Sequence, residues 1–277
     1  MSDTAPRQEV RDAIAFLQQR QPAGRRQRPV TSDLSIDESL ILHSVGWEPV
    51  ELVCGVGVFS IMQGSWQWGV GEVQSASDSV NSAFQTAQLR LAGECRAAGG
   101  HGVVGVDVQV GVERHVARVI LTGTAVAPST EAGHRGSPFV SDLSARDFAL
   151  LHNAGWEPLG LAWGVSYVHV PRRSAGTALA QTSQNVELTN FTEAMYSARE
   201  AAMDRMQQAA ISHHASGVVA VRVAEGPMEF ASHAIGFTAW GTSVHHADTS
   251  RKAAGARVVV TLDDAALSFD AAALRGR

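Results

Sequence analysis

The chain has 277 residues with 22 basic and 27 acidic side chains, a net charge of −5 with histidine neutral. That balance offers no basic face to nucleic acid or to an anionic membrane, and neither is expected as a partner. Two cysteines exclude a disulfide framework, and no run of about 18 apolar residues is present to cross a bilayer. The N-terminal residues lack the basic and apolar regions of a signal peptide, so cytoplasmic localisation is the expectation.

Residues 1–31 read as an N-terminal arm. Val10, Ile14, Phe16 and Leu17 allow one short helix, and a stretch from Gln21 to Pro29 with glycine and three arginines follows as a solvated tether. The next stretch occurs twice. Ser32 to Val56 and Ser141 to Val165 match at 13 of 25 positions with an offset of 109. The repeat continues from Gly102-Val-Val-Gly-Val106 to Gly217-Val-Val-Ala-Val221, and from Gly123-Thr124 to Gly241-Thr242. The offset grows to 118, which places insertions of the second copy in loops, where they cost least. Two modules follow, over 32–127 and 141–247, with a linker at 128–140 and a C-terminal tail at 248–277.

Within each module the elements can be taken in order. Ser35 with Glu38 is a capping-box pattern, and Ser144 with Asp147 is a shorter version, so a short helix is predicted at each. Ile36, Leu40 and Ile41 supply its apolar stripe, and Gly46 ends it in the left-handed conformation. Trp47-Glu48-Pro49 then turns the chain into a strand. Val50, Leu52, Cys54, Val56 and Val58 alternate with Glu51, Val53, Gly55, Gly57 and Phe59; the second copy keeps that phase with Leu159, Leu161, Trp163, Val165 and Tyr167.

A helix is predicted from about Ser79 to Ala98, with a face of Val80, Phe84, Ala87, Leu91, Cys95 and Ala98. Its counterpart is expected to be capped by Asn190 with Glu193 and to bury Met195, Ala198, Ala202, Met206 and Ala209. These faces are rich in alanine and can approach a sheet closely. Two strands close each module, Val104 to Val110 alternating and about Val116 to Val126 returning antiparallel. In the tail, Val258 to Leu262 could add an edge strand and Ala265 to Leu274 a short helix. The fold class is therefore α+β: two repeated β-α-β-β modules, each an antiparallel three-stranded sheet on one long helix, preceded by a short capped helix. One helix covers one sheet face, so such a module is expected to stack or pair with copies of itself.

Cys54-Gly55-Val56, the alanine-rich helix ending at Gly99-Gly100, Gly102-Val-Val-Gly-Val-Asp107 and Thr122-Gly-Thr-Ala-Val126 resemble the YbjQ-like family, whose domains are described as heavy-metal-binding. The resemblance covers about residues 50–127 well. It covers 159–244 more weakly, since Cys54 becomes Trp163 and Asp107 becomes Arg222. It implies a dodecin-subunit-like module assembling into five-fold rings, and a transition metal as ligand.

The candidate metal ligands are Cys54, His213, His214, His245 and His246. Soft metals take thiolate and imidazole, but one thiol per chain cannot make a thiolate site, so a ring would have to gather Cys54 from several copies. The plainer reading of Cys54 is a packed, inert core cysteine, and Cys95 on the helix stripe is more so. His213 and His214 fall at a helix C-terminus, where the dipole favours a cation. His245 and His246 close the last strand beside Asp248. Trp66 and Trp68, in a glycine-bounded loop, are candidates for stacking on a planar ligand or, more plainly, for packing on a neighbouring subunit. No nucleophile elbow, phosphate loop or Cys-x-x-Cys occurs, and no enzymatic activity is expected. The function expected is thus a non-enzymatic, ring-forming homo-oligomer that binds a transition metal. The alternative is a scaffold whose Leu-His-x-x-Gly-Trp-Glu-Pro elements make subunit contacts.

Overall fold

A computed structural model describes residues 30–62, 71–113, 115–130, 136–171, 187–228 and 231–247. Among them the chain is α+β, with four helices and two four-stranded sheets. The first half holds α1 (Ile36–Ser44), β1 (Trp47–Ser60), β2 (Gly71–Glu72), α2 (Gln74–Ala98), β3 (Gly102–Glu113) and β4 (Val116–Pro128). The second holds β5 (Phe139–Val140), α3 (Ala145–Asn153), β6 (Trp156–His169), α4 (Thr189–Ser212), β7 (Gly217–Met228) and β8 (Ala231–His246). The proposed arm up to residue 29, the loops at 63–70 and 172–186, and the tail from 248 lie outside the described residues.

The sheets run in the order β1-β4-β3-β5 and β2-β6-β8-β7. Each long strand pairs antiparallel with its neighbours, the return of β4 along β3 among them. The two-residue strands break that pattern, because each half lends one to the other. β5 of the second half adds parallel to β3, Gly102 facing Phe139 and Val103 facing Val140. β2 of the first half adds antiparallel to β6, Gly71 facing His169 and Glu72 facing Val168. The stretch read as linker therefore ends in a paired strand.

Short-range chemistry explains the starts of the small helices. Ser35 accepts from the Glu38 amide at 3.2 Å while Glu38 accepts from the Ser35 amide at 3.0 Å, a complete capping box. At α3 the Ser144 hydroxyl accepts from the Asp147 amide, but the shorter Asp147 carboxylate reaches only the Ser144 hydroxyl, at 2.8 Å. Gly46 and Gly155, both at φ 78°, follow the helix ends. Two expectations fail. In α1 it is Leu42 that is buried, whereas Ile36 and Leu40 are exposed. At α4 the cap position is Leu188 with no side-chain bond, and the Asn190 amide instead donates to the Pro171 carbonyl at 2.8 Å.

Strand β1 and helix α2 approach each other closely. A Cβ added at Gly55 would lie 2.0 Å from the Ala87 carbonyl oxygen, and one at Gly57 would lie 2.0 Å from that of Ala83. Gly164 stands in the same relation to Ala202 on α4. Glycine on the strand and alanine on the helix let the two backbones touch. The covered face of β1 is consequently the glycine face, with Val53, and the more apolar Leu52–Val58 register is the uncovered one.

Helix α2 is buried on two flanks. Beyond the predicted Val80, Phe84, Ala87, Leu91 and Cys95, it also buries Ala76, Ser77, Ala83 and Thr86. The second flank meets β6: Phe84 stacks on Trp163 with ring centroids 5.5 Å apart and planes 10° apart. The Ser77 hydroxyl accepts from the Tyr167 amide at 2.9 Å, and the Val73 amide donates to the Tyr167 carbonyl at 2.7 Å. The layers therefore run α4, second sheet, α2, first sheet. Leu161 and Tyr167, between α2 and α4, are 0% and 3% exposed; their counterparts Leu52 and Val58 are 40% and 54% exposed.

Replacing Gly57 by Ala forces a methyl into the Ala83 carbonyl, so backbone must move. The expected cost is about 2 kcal/mol, read as a lower urea midpoint at unchanged m-value.

Candidate functional site

Cys54 lies mid-strand in β1 and is half-buried. Its amide donates to the Glu94 carboxylate at 2.9 Å, and its sulfur receives the Thr122 hydroxyl at 3.8 Å. Cys95 is fully buried and its thiol donates to the Gly102 carbonyl at 3.3 Å. Burial pushes that thiol up to about 12, against the pull of Arg96 and the Gly102 bond, so Cys95 is an inert core group.

The histidines are dispersed. His213 is the C-cap of α4, with Nδ1 3.1 Å from the Ser243 hydroxyl and its ring over Gly160. Burial holds its imidazole below the ordinary range, so desolvation outweighs the helix dipole and the neutral form is favoured. His214 follows in the left-handed conformation at φ 57°. His245 pairs across the sheet with Glu157, and His246 packs on Trp156 with ring centroids 4.8 Å apart. Outside the predicted set, His169 stacks on His233 at 5.7 Å and is likewise held low, by burial first and then by the neighbouring imidazole. Among the described residues no three His, Cys, Asp or Glu side chains gather as a metal-holding group. Trp66 and Trp68 lie outside the described residues, as does Asp248.

What the structure does bring together is two polar clamps, one within the second half that also reaches the first sheet through its backbone and one between the halves. The Asp142 carboxyl is buried and accepts from the Thr242 hydroxyl at 2.6 Å, while its own amide donates to the same oxygen at 3.1 Å. Ser141 adds a hydroxyl contact to Thr242 at 3.0 Å, and its carbonyl and that of Leu143 accept from Val106 and Gly105 in the first sheet. Burial raises the Asp142 carboxyl, with Thr242 and then Arg222 pulling the other way. Asp33 and Thr124 form the matching pair in the first half.

The second clamp is an ion pair. Arg205 on α4 donates to both carboxylate oxygens of Glu72 on β2, at 2.5 and 2.8 Å, and also to the Val165 carbonyl at 2.5 Å. Arg205 is held further up by the Glu72 bond, and its own bonds to Arg205, Ser77 and Ser166 outweigh burial to bring Glu72 down. These residues were not singled out from sequence. The signal was present, since Asp33 with Asp142, Thr124 with Thr242, and Arg90 with Arg205 all recur at the repeat offsets.

The family model described as "putative heavy-metal-binding" matches residues 34–129 and 173–247. The chain belongs to this YbjQ-like family. The split match is that of a tandem repeat. The YbjQ-like chain is also 32% identical over 226 residues to the Encapsulin nanocompartment protein Rv1762c of Mycobacterium tuberculosis, covering 79% of this chain and 86% of that protein. No solved structure matches it significantly. Among the described residues Cys54 joins no group of metal-holding side chains, and Trp163 fills its place in the second half.

His213 yields a pH dependence of defined sign. Its folded value is lowered, so the unfolded state binds the proton more readily, and stability present above about pH 6.5 is lost as the pH falls below it. Urea midpoints measured from pH 7 to pH 5 are expected to fall less steeply in His213→Gln than in the unsubstituted protein.

Proposed function

We propose that this protein is a non-catalytic, self-associating component of an encapsulin nanocompartment, built from two dodecin-subunit-like modules. The observation that carries this reading is the reciprocal exchange of β2 and β5. Surfaces that complete one another's sheets and meet through an aromatic stack are those of an assembly element. The duplicated Gly-Trp-Glu-Pro element supports it as well: Trp47 packs edge-on against Phe148 at 5.3 Å and His152 at 6.4 Å of the other half. The relative's name supplies the compartment. The protein co-expressed with the encapsulin shell protein of its own organism is expected to co-elute with intact shells in size exclusion and to survive their repurification. Elution apart from shells at every expression ratio removes the compartment from the proposal.

A second reading keeps the family's description. Cys54 is half-buried on the uncovered sheet face, so copies assembled about that face could pool thiols that one chain lacks. Metal analysis of the oligomer is then expected to show a soft metal at sub-stoichiometric ratio, lost in Cys54→Ser. Equal metal content in both proteins, or none in either, ends this reading.

A further inference from the structure

The contact between the two halves is heterologous, since different surfaces of one module meet on the two sides, and each surface has a counterpart that no module covers among the described residues. The α2 side of the first module, carrying β2 and Glu72, covers the β6 face and Arg205 of the second. By the repeat offset of 115, Glu72 corresponds to Glu187 and Arg90 to Arg205. Arg90 is already posed as Arg205 is, donating to the Val56 carbonyl at 2.5 Å as Arg205 donates to that of Val165. Its Nε is buried and has no hydrogen-bond partner among the described residues. Glu187, which matches the carboxylate that completes Arg205, is exposed and accepts only from the Thr192 hydroxyl, at 3.0 Å, among the described residues.

The apolar surfaces tell the same story. Val73 beside Glu72 is 2% exposed, whereas Leu188 beside Glu187 is 40% exposed. Ile36 and Leu40 are exposed; their counterparts Ala145 and Ala149 are buried. Each sheet has accepted one guest strand, and among the described residues its other edge, β1 in the first and β7 in the second, pairs with no further strand. On β3 the guest enters at a bulge where Gly105 takes φ 67° and its amide meets the Leu143 carbonyl. On β7 the same bulge is present with Ala220 at φ 53°, a conformation costly for alanine. The residues that match the guest strand β5 are Val30 and Thr31.

We propose that a second copy of this chain docks head to tail on these surfaces, the Glu187 carboxylate of one copy completing the Arg90 guanidinium of the next. In the same contact Val30 and Thr31 of that next copy add to the β7 edge beside Gly217 and Val218, and Leu188 enters against the open β1 face. Cys54 becomes covered there, as Trp163 is covered within the chain. Every module contact is then of one kind, and any ring closed by whole chains holds an even number of modules. This inference rests on the self-association proposed above and assigns its contact.

Sedimentation and light scattering of the full chain, of Arg90→Glu, of Glu187→Arg and of the double variant test it. The unsubstituted protein is expected at a multiple of 29.3 kDa. Each single charge reversal is expected to weaken association at least about thirtyfold, and the double variant to restore it. Cys54 labelling by a thiol reagent is expected to be slow in the oligomer and fast in Arg90→Glu of unchanged circular dichroism. A 29.3 kDa particle for the unsubstituted protein at all concentrations overturns both this contact and the self-association. An oligomer indifferent to both reversals, with Cys54 equally reactive throughout, overturns the contact alone.

Discussion

The constraint on which the structure depends is that one helix covers one face of a three-stranded sheet. The first module solves half of the problem by laying α2 on the glycine face of β1, where Gly55 and Gly57 admit the helix backbone. The other half is solved only by a neighbour. The open face of β6 is closed by the far flank of the same helix, with Phe84 flat against Trp163. A helix held between two sheets carries apolar groups on two stripes, which is why α2 buries Ala76, Ser77, Ala83 and Thr86 while α4 buries a single row.

Hydrophobic contact between flat surfaces is non-directional, so something else must set the register of the two halves. The polar clamps do this. Arg205 reaches around the edge of β6 to bind both Glu72 and the Val165 carbonyl, and it can do so only if β2 is aligned with β6. Asp142, Ser141 and Thr242 fix the start of α3, while β5 and the Gly105 bulge fix the same segment to the other sheet. A partly buried bidentate ion pair and a hydrogen-bonded buried carboxyl add geometric specificity beyond what the packed area supplies.

Local chemistry made much of the fold legible in the sequence. The duplicated Ser-Asp-Leu-Ser and Gly-Trp-Glu-Pro elements, the capping box at Ser35 and the alternation along β1 and β6 each depend on neighbours a few residues away. Contacts that depend on the other half were not legible. Nine residues of α1 carry too few turns to tell which apolar side chain points inward, and Leu42 is chosen by a cluster with Val104, Val126 and Phe148 rather than by periodicity. Alternation alone likewise could not say which face of β1 the helix takes, because the glycine face looks the less apolar of the two. The candidate ligands were chosen by residue type, and the chain scatters them: His213 is settled by burial against Ser243, and Cys95 by its place in the α2 core.

Fusing two modules in one chain changes the physics of their contact. A junction that separate subunits would form at their cellular concentration is instead formed at the effective concentration set by a short linker, on the order of millimolar. The fused junction can then lose residues that assembly between separate copies would require and gain others. Position 163 illustrates this. Where the first module keeps Cys54 on an uncovered face, the second carries a partly buried tryptophan whose ring stacks on Phe84 of the same chain. The repeat is thus retained in backbone and clamps, where both halves need the same geometry, and has diverged at the face where one half has a permanent partner and the other does not.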